Sequence, residues 1–466
     1  MSGHLRRVEL GFLLRDARVR WVFLAFVLLC LPAFILALQD TRRVSAEFQQ
    51  ITAVERDRWL NQSPKNPHSA DHFGTWVFKP VSPLSPLDRG IMPYLGQMVR
   101  IEAHVFNDAV FQSVQDANSG SRSGVSSVAD ITQILLPLLM FVLGFAVFAA
   151  DRERGTIRLA LGNGTSPAKW VAARLWATSI IAAVAILLPL AILGSVSVLA
   201  AEGAGWQPWL RLVLWVLAHA LYGGIFLLLG FAISLASKTV RSALTAALLA
   251  WVVLCIAVPR ASTAFVEFIS PTPSYQDTRT AIERETRAFN AAEIASTREQ
   301  EFLQSYGAER AEDLPVDLRG AMLHARDEHD NRVFDKWFGQ FFSELEAQDR
   351  VFGWMGIVSP KNALEAVSEA ITGNDFANHT SFVWAAETYR RNLSETMNGV
   401  LMASPQKEGV TIKTSREVWE EVPPFDHQPR TVWQALGGVL VPAGILLGWL
   451  LAATILVYRL SRRMKP

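Results

Sequence analysis

The sequence predicts an all-α membrane protein. It has six transmembrane helices, an N-terminal interfacial elbow helix and two large, mostly helical segments outside the bilayer. Three observations predict it. Half of the 466 residues are apolar, and the mean hydropathy is +0.21. Fifteen Trp and 26 Phe suit lipid and its interfaces. Six apolar runs each reach the roughly 18–25 residues that a spanning helix needs.

The runs are Trp21–Leu38, Ile131–Ala150, Leu175–Ala200, Leu212–Ala236, Ser242–Pro259 and Trp433–Val457. None contains Asp, Glu, Lys or Arg, and one such charge at mid-helix costs about 2.5–3.5 kcal/mol on insertion scales. The first run follows arginines, as a signal peptide would. The Gln39–Arg43 stretch after it is a poor cleavage site, so a retained helix is expected. Prolines 32, 137, 189 and 442 and glycines 223, 224, 437 and 438 lie inside the runs. Neighbouring helices satisfy the backbone groups that prolines free, and small residues allow close packing.

Lys and Arg near the helix ends set orientation. They occupy segment 1–20 (Arg6, Arg7, Arg15, Arg18, Arg20), loop 151–174 (Arg152, Arg154, Arg158, Lys169, Arg174) and link 237–241 (Lys238, Arg241). The tail 458–466 adds Arg459, Arg462, Arg463 and Lys465, whereas link 201–211 has only Arg211, at its edge. Both termini are therefore expected in the cytoplasm, with segments 39–130 and 260–432 outside. The first of these has a proline-rich centre, "NPHSADHFGTWVFKPVSPLSPLDRG", expected to be irregular. The second reads as helical in "TRTAIERETRAFNAAEIASTREQEFLQSYG" and "VFDKWFGQFFSELEAQDRVF". No strand-rich run is expected. Before the first span, Leu5, Val8 and Phe12 share one face of an amphipathic stretch, as in a helix lying among headgroups.

A net charge of +1 gives no reason to expect a nucleic-acid partner. Both cysteines, Cys30 and Cys255, sit in apolar runs, which leaves no disulfide framework and no Cys metal site.

The stretch "DRERGTIRLALGNGTSPAK" after the second run carries the functional signal. Asp151–Leu161 predicts about three helical turns, ended by Gly162-Asn163-Gly164. Thr165 or Ser166 then caps the next helix, with Pro167 at its first position. Ile157, Leu159, Ala160 and Leu161 need a cover, because so short a helix is marginal alone.

This stretch resembles the loop of ABC-2 type permeases, the membrane subunits of one class of ABC exporters. Their pattern runs from charged residues through Gly-Thr, apolar residues and a small-residue break to Ser-Pro and a basic residue. The resemblance implies a coupling helix that docks into an ATP-hydrolysing subunit. The docking residues would be Asp151, Arg152, Glu153, Arg154, Gly155, Thr156, Ile157, Leu159, Leu161, Ser166 and Pro167. It also implies that ATP and Mg are bound by the partner, with no cofactor on this chain. A second permease copy or a homologous permease would complete the pathway, in a bacterial inner membrane. "NPHSADHFGTWVFKP" and "SPKNALEAVSEAITGNDFANHTSFVWAAETYRR" resemble the extracytoplasmic insert of bacterial members, a domain of unknown function.

The remaining candidates are weaker. His68 and His72 have the i, i+4 spacing of a helical metal pair. However, Pro67 precedes them, Gly74 follows, and no Glu lies between, so a structural role is expected and no metal is assigned. His104 and Glu102 lie in the same segment. "GNGTSPAK" lacks the Gly-Lys-Ser/Thr of a phosphate loop, so ATP hydrolysis is expected elsewhere. His219 is ionisable and deep in the fourth run; a functional role and a neutral interhelical hydrogen bond both stay open. An ion-coupled transporter would need mid-span carboxylates, which the runs lack. A receptor would need an output domain, for which the tail after Val457 is short.

Overall fold

The computed structural model describes residues 2–112, 127–164, 166–201, 203, 205–289, 292–403 and 413–464. Helix α1 (Ser2–Leu14) precedes the first span, α2 (Ala17–Leu60). Leu5 and Phe12 lie outside the described side chains, and Val8 is exposed. The expectation of an apolar face on α1 therefore rests on residues that are not described, apart from Val8.

Among the described residues, six helices are long and apolar enough to cross a membrane. The first, α2, has 44 residues and does not stop at Leu38. No Gly or Pro follows Pro32 within it, and Val44, Phe48, Glu55 and Trp59 keep one buried face at helical spacing. The charges at Asp40, Arg42 and Arg43 mark the membrane edge, not the helix end.

Among the described residues between α2 and the second span are the short helix α3 (Pro67–Asp71) and three strands, β1 (Thr75–Phe78), β2 (Met98–Ile101) and β3 (Ala109–Val110). They form an antiparallel sheet of order β1-β2-β3, with Thr75 opposite Ile101 and Met98 opposite Val110. The irregular centre expected for segment 39–130 is corrected by this small sheet. Its strands alternate too briefly to show in the sequence, yet Val77, Val99 and Ile101 all point into one core.

The second span is α4 (Val128–Gly144), continued past a bend as α5 (Val147–Glu153). A short helix, α6 (Thr156–Gly162), then leads to the third span, α7 (Pro167–Ala200). The fourth and fifth spans are α8 (Trp206–Ala236) and α9 (Val240–Ile269). Spans α4 and α8 form the centre of the bundle, where Phe141, Tyr222, Phe226 and Phe231 are fully buried. Gly144 and Gly230 let them touch: a Cβ on Gly144 would stand 3.2 Å from Gly230 backbone atoms. Prolines 189 and 259 each follow a π-turn, in which Leu188 donates to the Ala183 carbonyl and Val258 to that of Val253. The wider turn makes room where proline offers no donor.

After α9 the chain forms α10 (Tyr275–Phe289), α11 (Ala292–Ser305), α12 (Leu318–Trp354), α13 (Pro360–Thr372), α14 (Phe376–Met402) and α15 (Arg416–Glu421). Most of these join the sheet and the far end of α2 in a single domain. Its core holds Trp59, Phe106, Phe334, Phe338, Phe382 and Trp419, and Trp59 Nε1 donates to the Trp419 carbonyl at 2.8 Å. The two extramembrane segments thus share one core.

Helix α13 is the exception. Ala363, Leu364, Val367, Ala370 and Ile371 belong to the core of the bundle. Ser359 donates to the Leu254 carbonyl of α9, and Trp215 of α8 donates to Ser368 at 2.8 Å. The Arg211 guanidinium donates to the carbonyls of Ala370, Ile371 and Arg430 at 3.2, 2.6 and 2.6 Å. It satisfies the free C-terminal carbonyls of α13 and complements their partial negative charge.

The sixth apolar run is broken. Helix α16 (Val432–Gly438) ends at the paired glycines 437 and 438, and the span itself is α17 (Leu440–Arg462). Trp433, expected inside the span, is exposed on α16.

Candidate functional site: the short helix after the second span

The charged cluster after the second span divides into two parts. Asp151, Arg152 and Glu153 continue α5. The helix stops at Gly155, whose φ of +71° is left-handed and free of cost for glycine. Thr156 opens α6, which is two turns long and not the three-turn helix expected from Asp151.

The first part is held internally. The Arg152 guanidinium donates to the carbonyls of Leu235, at 2.9 Å, and Ser237, at the end of α8. The Glu153 carboxylate accepts from the Val240 N–H at 2.8 Å, at the start of α9, where a negative charge suits the helix dipole. Asp151 is buried and paired with Arg174 of α7. Arg174 also reaches the Val147 carbonyl at 2.9 Å and Glu9 of α1 at 3.3 Å, and its guanidinium lies over the Trp170 ring at 4.7 Å. A single side chain thereby joins α1, α5 and α7. The Trp170 indole faces the same Glu9 carboxylate at 3.4 Å.

The second part is open. Ile157 is buried, but Leu159 is 70% exposed. Arg154 and Arg158 are also exposed, Thr156 and Leu161 are half-buried, and Gly162 to Gly164 are exposed. Ser166 begins α7 without a side-chain capping bond, and Pro167 occupies its first turn. Thr165 lies outside the described residues. At this end of the bundle, a two-turn helix flanked by glycines presents one bare leucine next to Arg158, beside a base of ion pairs and caps.

A family model described as "ABC-2 family transporter protein" matches residues 7–315, about two thirds of the chain. The chain belongs to the ABC-2 transporter family. A second model, a domain of unknown function called DUF3526, matches residues 277–428. No curated protein matches the chain. Membership makes the protein a transmembrane permease of an ABC transporter, a membrane subunit whose family partner is an ABC ATPase. The DUF3526 match spans α12, α13 and α14, so the helix wedged into the permease bundle belongs to that domain and not to the span pattern.

In the permease, His219 is fully buried between the two central spans. Its Nδ1 meets the Trp215 carbonyl at 2.9 Å and its Nε2 the Thr132 hydroxyl at 3.1 Å. A neutral imidazole satisfies both, donating to the carbonyl and accepting from the hydroxyl. This is the interhelical bond that the sequence left open beside a functional role.

His68 and His72 lie on α3 and at its C-terminal cap, as their spacing implies. The structure adds His104, from the turn between β2 and β3, so that each of the three offers a ring nitrogen within 4.8 Å of the others. His324 and His329, by contrast, pair separately, with Glu328 and Asp330.

Neither Arg174 nor Glu9 was singled out by the sequence as a site residue. Arg174 reads as one more charge of the orientation pattern, and its partners lie 23 and 165 residues away. One available signal was the placement of a lone arginine at the mouth of an apolar run, where it needs a partner.

Proposed function

We propose that this permease is the membrane subunit of an ATP-driven exporter of a bacterial inner membrane, with both termini and α6 in the cytoplasm. Helix α6 is its coupling element. The observation that carries this reading is the division of the loop: a set of charged struts tied to the chain's own helices below and the exposed Leu159 above. A two-turn helix is marginal alone, and a partner that covers Leu159 would complete its apolar face. The excess of Lys and Arg in the same loop, the α8–α9 link and both tails supports the cytoplasmic assignment.

In this reading, ATP and Mg bind the partner ATPase, and closure of two such subunits moves α6. The Arg152 bonds lead that motion to the end of α8, Glu153 leads it to the start of α9, and Arg174 to α7 and α1. A second copy, or a homologous permease, supplies the other half of a pathway. The 44-residue α2 favours a variant of the same reading, in which the assembly also does work on a periplasmic partner. At about 1.5 Å per residue it is a rod of about 66 Å that runs from the bundle into the outer domain's core.

Purification of the chain from its native membrane tests the proposal. The expected companion is a separate polypeptide carrying a Walker motif, in equal amount. Transport by the chain alone, or labelling of a cysteine placed at Arg154 from the periplasmic side, would contradict it.

A further inference from the structure

We propose that His68, His72 and His104 form a binding site for a divalent transition-metal ion of borderline softness, zinc foremost, on the extramembrane domain. The site is independent of the coupling loop and goes beyond the transport reading.

The geometry is that of a three-histidine face. Each imidazole contributes one nitrogen, and all three lie within 4.8 Å of one another. The ring centroids are 4.8, 5.2 and 5.1 Å apart. Zn–N bonds of about 2.0–2.1 Å place tetrahedral ligands about 3.3 Å apart, so small side-chain rotations close the set around an ion. Local backbone geometry holds the residues there. Asn66 caps α3 by accepting from the His68 N–H at 3.0 Å. His104 has a left-handed backbone, φ +59°, uncommon for a residue other than glycine.

Two further observations point to a ligand. His68 Nδ1 and His104 Nε2 are buried and without a hydrogen-bond partner. An orphaned buried polar atom costs about 1–3 kcal/mol, and two in one cluster mark a place that expects something to bind. The second is the support behind His104. Its Nδ1 lies 2.5 Å from the Asp327 carboxylate, whose other oxygen accepts from Asn398 at 2.7 Å. A carboxylate on one ring nitrogen fixes the tautomer and turns the other nitrogen's lone pair outward, as behind metal-ligating histidines.

The donor set selects the ion. Three neutral imidazoles suit Zn²⁺, Cu²⁺ or Ni²⁺ better than Mg²⁺ or Ca²⁺, which prefer oxygen. The chain's two cysteines are both buried within the spans, so no thiolate is at hand to favour Cu(I). His72 is exposed, which gives the ion an entry and leaves a fourth position to water. His68 and His72 tie α3, and His104 the β2–β3 turn. Through Asp327 and Asn398 the site also reaches α12 and α14, so a bound ion braces four parts of the domain.

The test uses the full chain in detergent, purified without a histidine tag and stripped with chelator. Titration with Co²⁺ is expected to give one ion per chain with the intense visible absorption of tetrahedral coordination, and one equivalent of Zn²⁺ displaces it. Exposed His72→Ala leaves the fold intact and is expected to lose that absorption and weaken Zn²⁺ binding by about 100-fold or more. Asp327→Asn keeps all three ligands and weakens it by about 10–100-fold. Absence of a stoichiometric Co²⁺ signal, or a His72→Ala variant with the wild-type spectrum and affinity, overturns the proposal.

Discussion

At one end of the bundle, Arg211 saturates the carbonyls that close α13, and that helix fills the space between four spans. At the other end, Arg174 gathers α1, α5 and α7, while Leu159 on the adjoining α6 stays bare. Each end rests on an arginine, buried at the first and half-buried at the second. At the first, the arginine finishes a structure that is closed within the chain. At the second, it stiffens a platform whose upper layer is left uncovered. The contrast separates what the chain needs in order to fold from what it presents to another molecule.

The closed end is where substitutions cost most. Arg211→Ala removes a charge-assisted hydrogen bond from each of three carbonyls, worth about 1.5–3 kcal/mol apiece, and is expected to lower stability by about 3 kcal/mol or more in thermal unfolding. A variant as stable as wild type would remove the basis of the contrast. Asp88 sharpens it next. This carboxyl accepts from Ser368 of α13 and from the Gly90 N–H at 2.9 Å, and burial pushes it up to about 7. Its folded value lies above the unfolded one of 3.8. The native state therefore holds a proton that the unfolded chain releases, and stability falls as pH rises between those values. Raising the pH from about 5 to about 8 is expected to cost about 2–3 kcal/mol, a loss that Asp88→Asn flattens.

At the loop end the effects are smaller. Alanine at Arg174 and Asp151, singly and together, is expected to give a coupling of about 1–2 kcal/mol, the mark of residues in one network. Additive single effects would show that the pair does not stiffen the platform. Gly155→Ala forces a side chain into a left-handed conformation and is expected to cost about 1–2 kcal/mol. No neighbouring atom stands within 4 Å of the added Cβ, so nothing else contributes.

The bilayer made much of this fold legible. It demands runs of a set length without charge, and five of the six runs lie wholly within spanning helices, the sixth only from Leu440 onward. What the sequence hid are features decided by tertiary contact. The continuation of α2 to Leu60 follows from a buried face that begins where the charges suggest an ending. Helix α13 carries Lys361, Glu365 and Glu369 on thirteen residues, which reads as a surface helix. It lies in the bundle because Lys361 pairs with Glu365 at 2.6 Å and its apolar face meets α8 and α17. In the loop, the glycine break and the apolar patch were readable. The share of the charges committed to the chain itself was not, because Arg152 and Glu153 find partners more than 80 residues away. His104 is 36 and 32 residues from His68 and His72, and Asp327 is 223 from His104, beyond any local pattern.

The most direct test of the open end is Leu159→Glu, scored by the ATPase retained when the permease is purified with its partner. The side chain is exposed, so stability is expected to stay within about 0.5 kcal/mol of wild type. Docking of a leucine is worth about 1.5–3 kcal/mol, so retention is expected to fall by about tenfold to a hundredfold. Full retention of the ATPase by a folded Leu159→Glu variant would contradict the account.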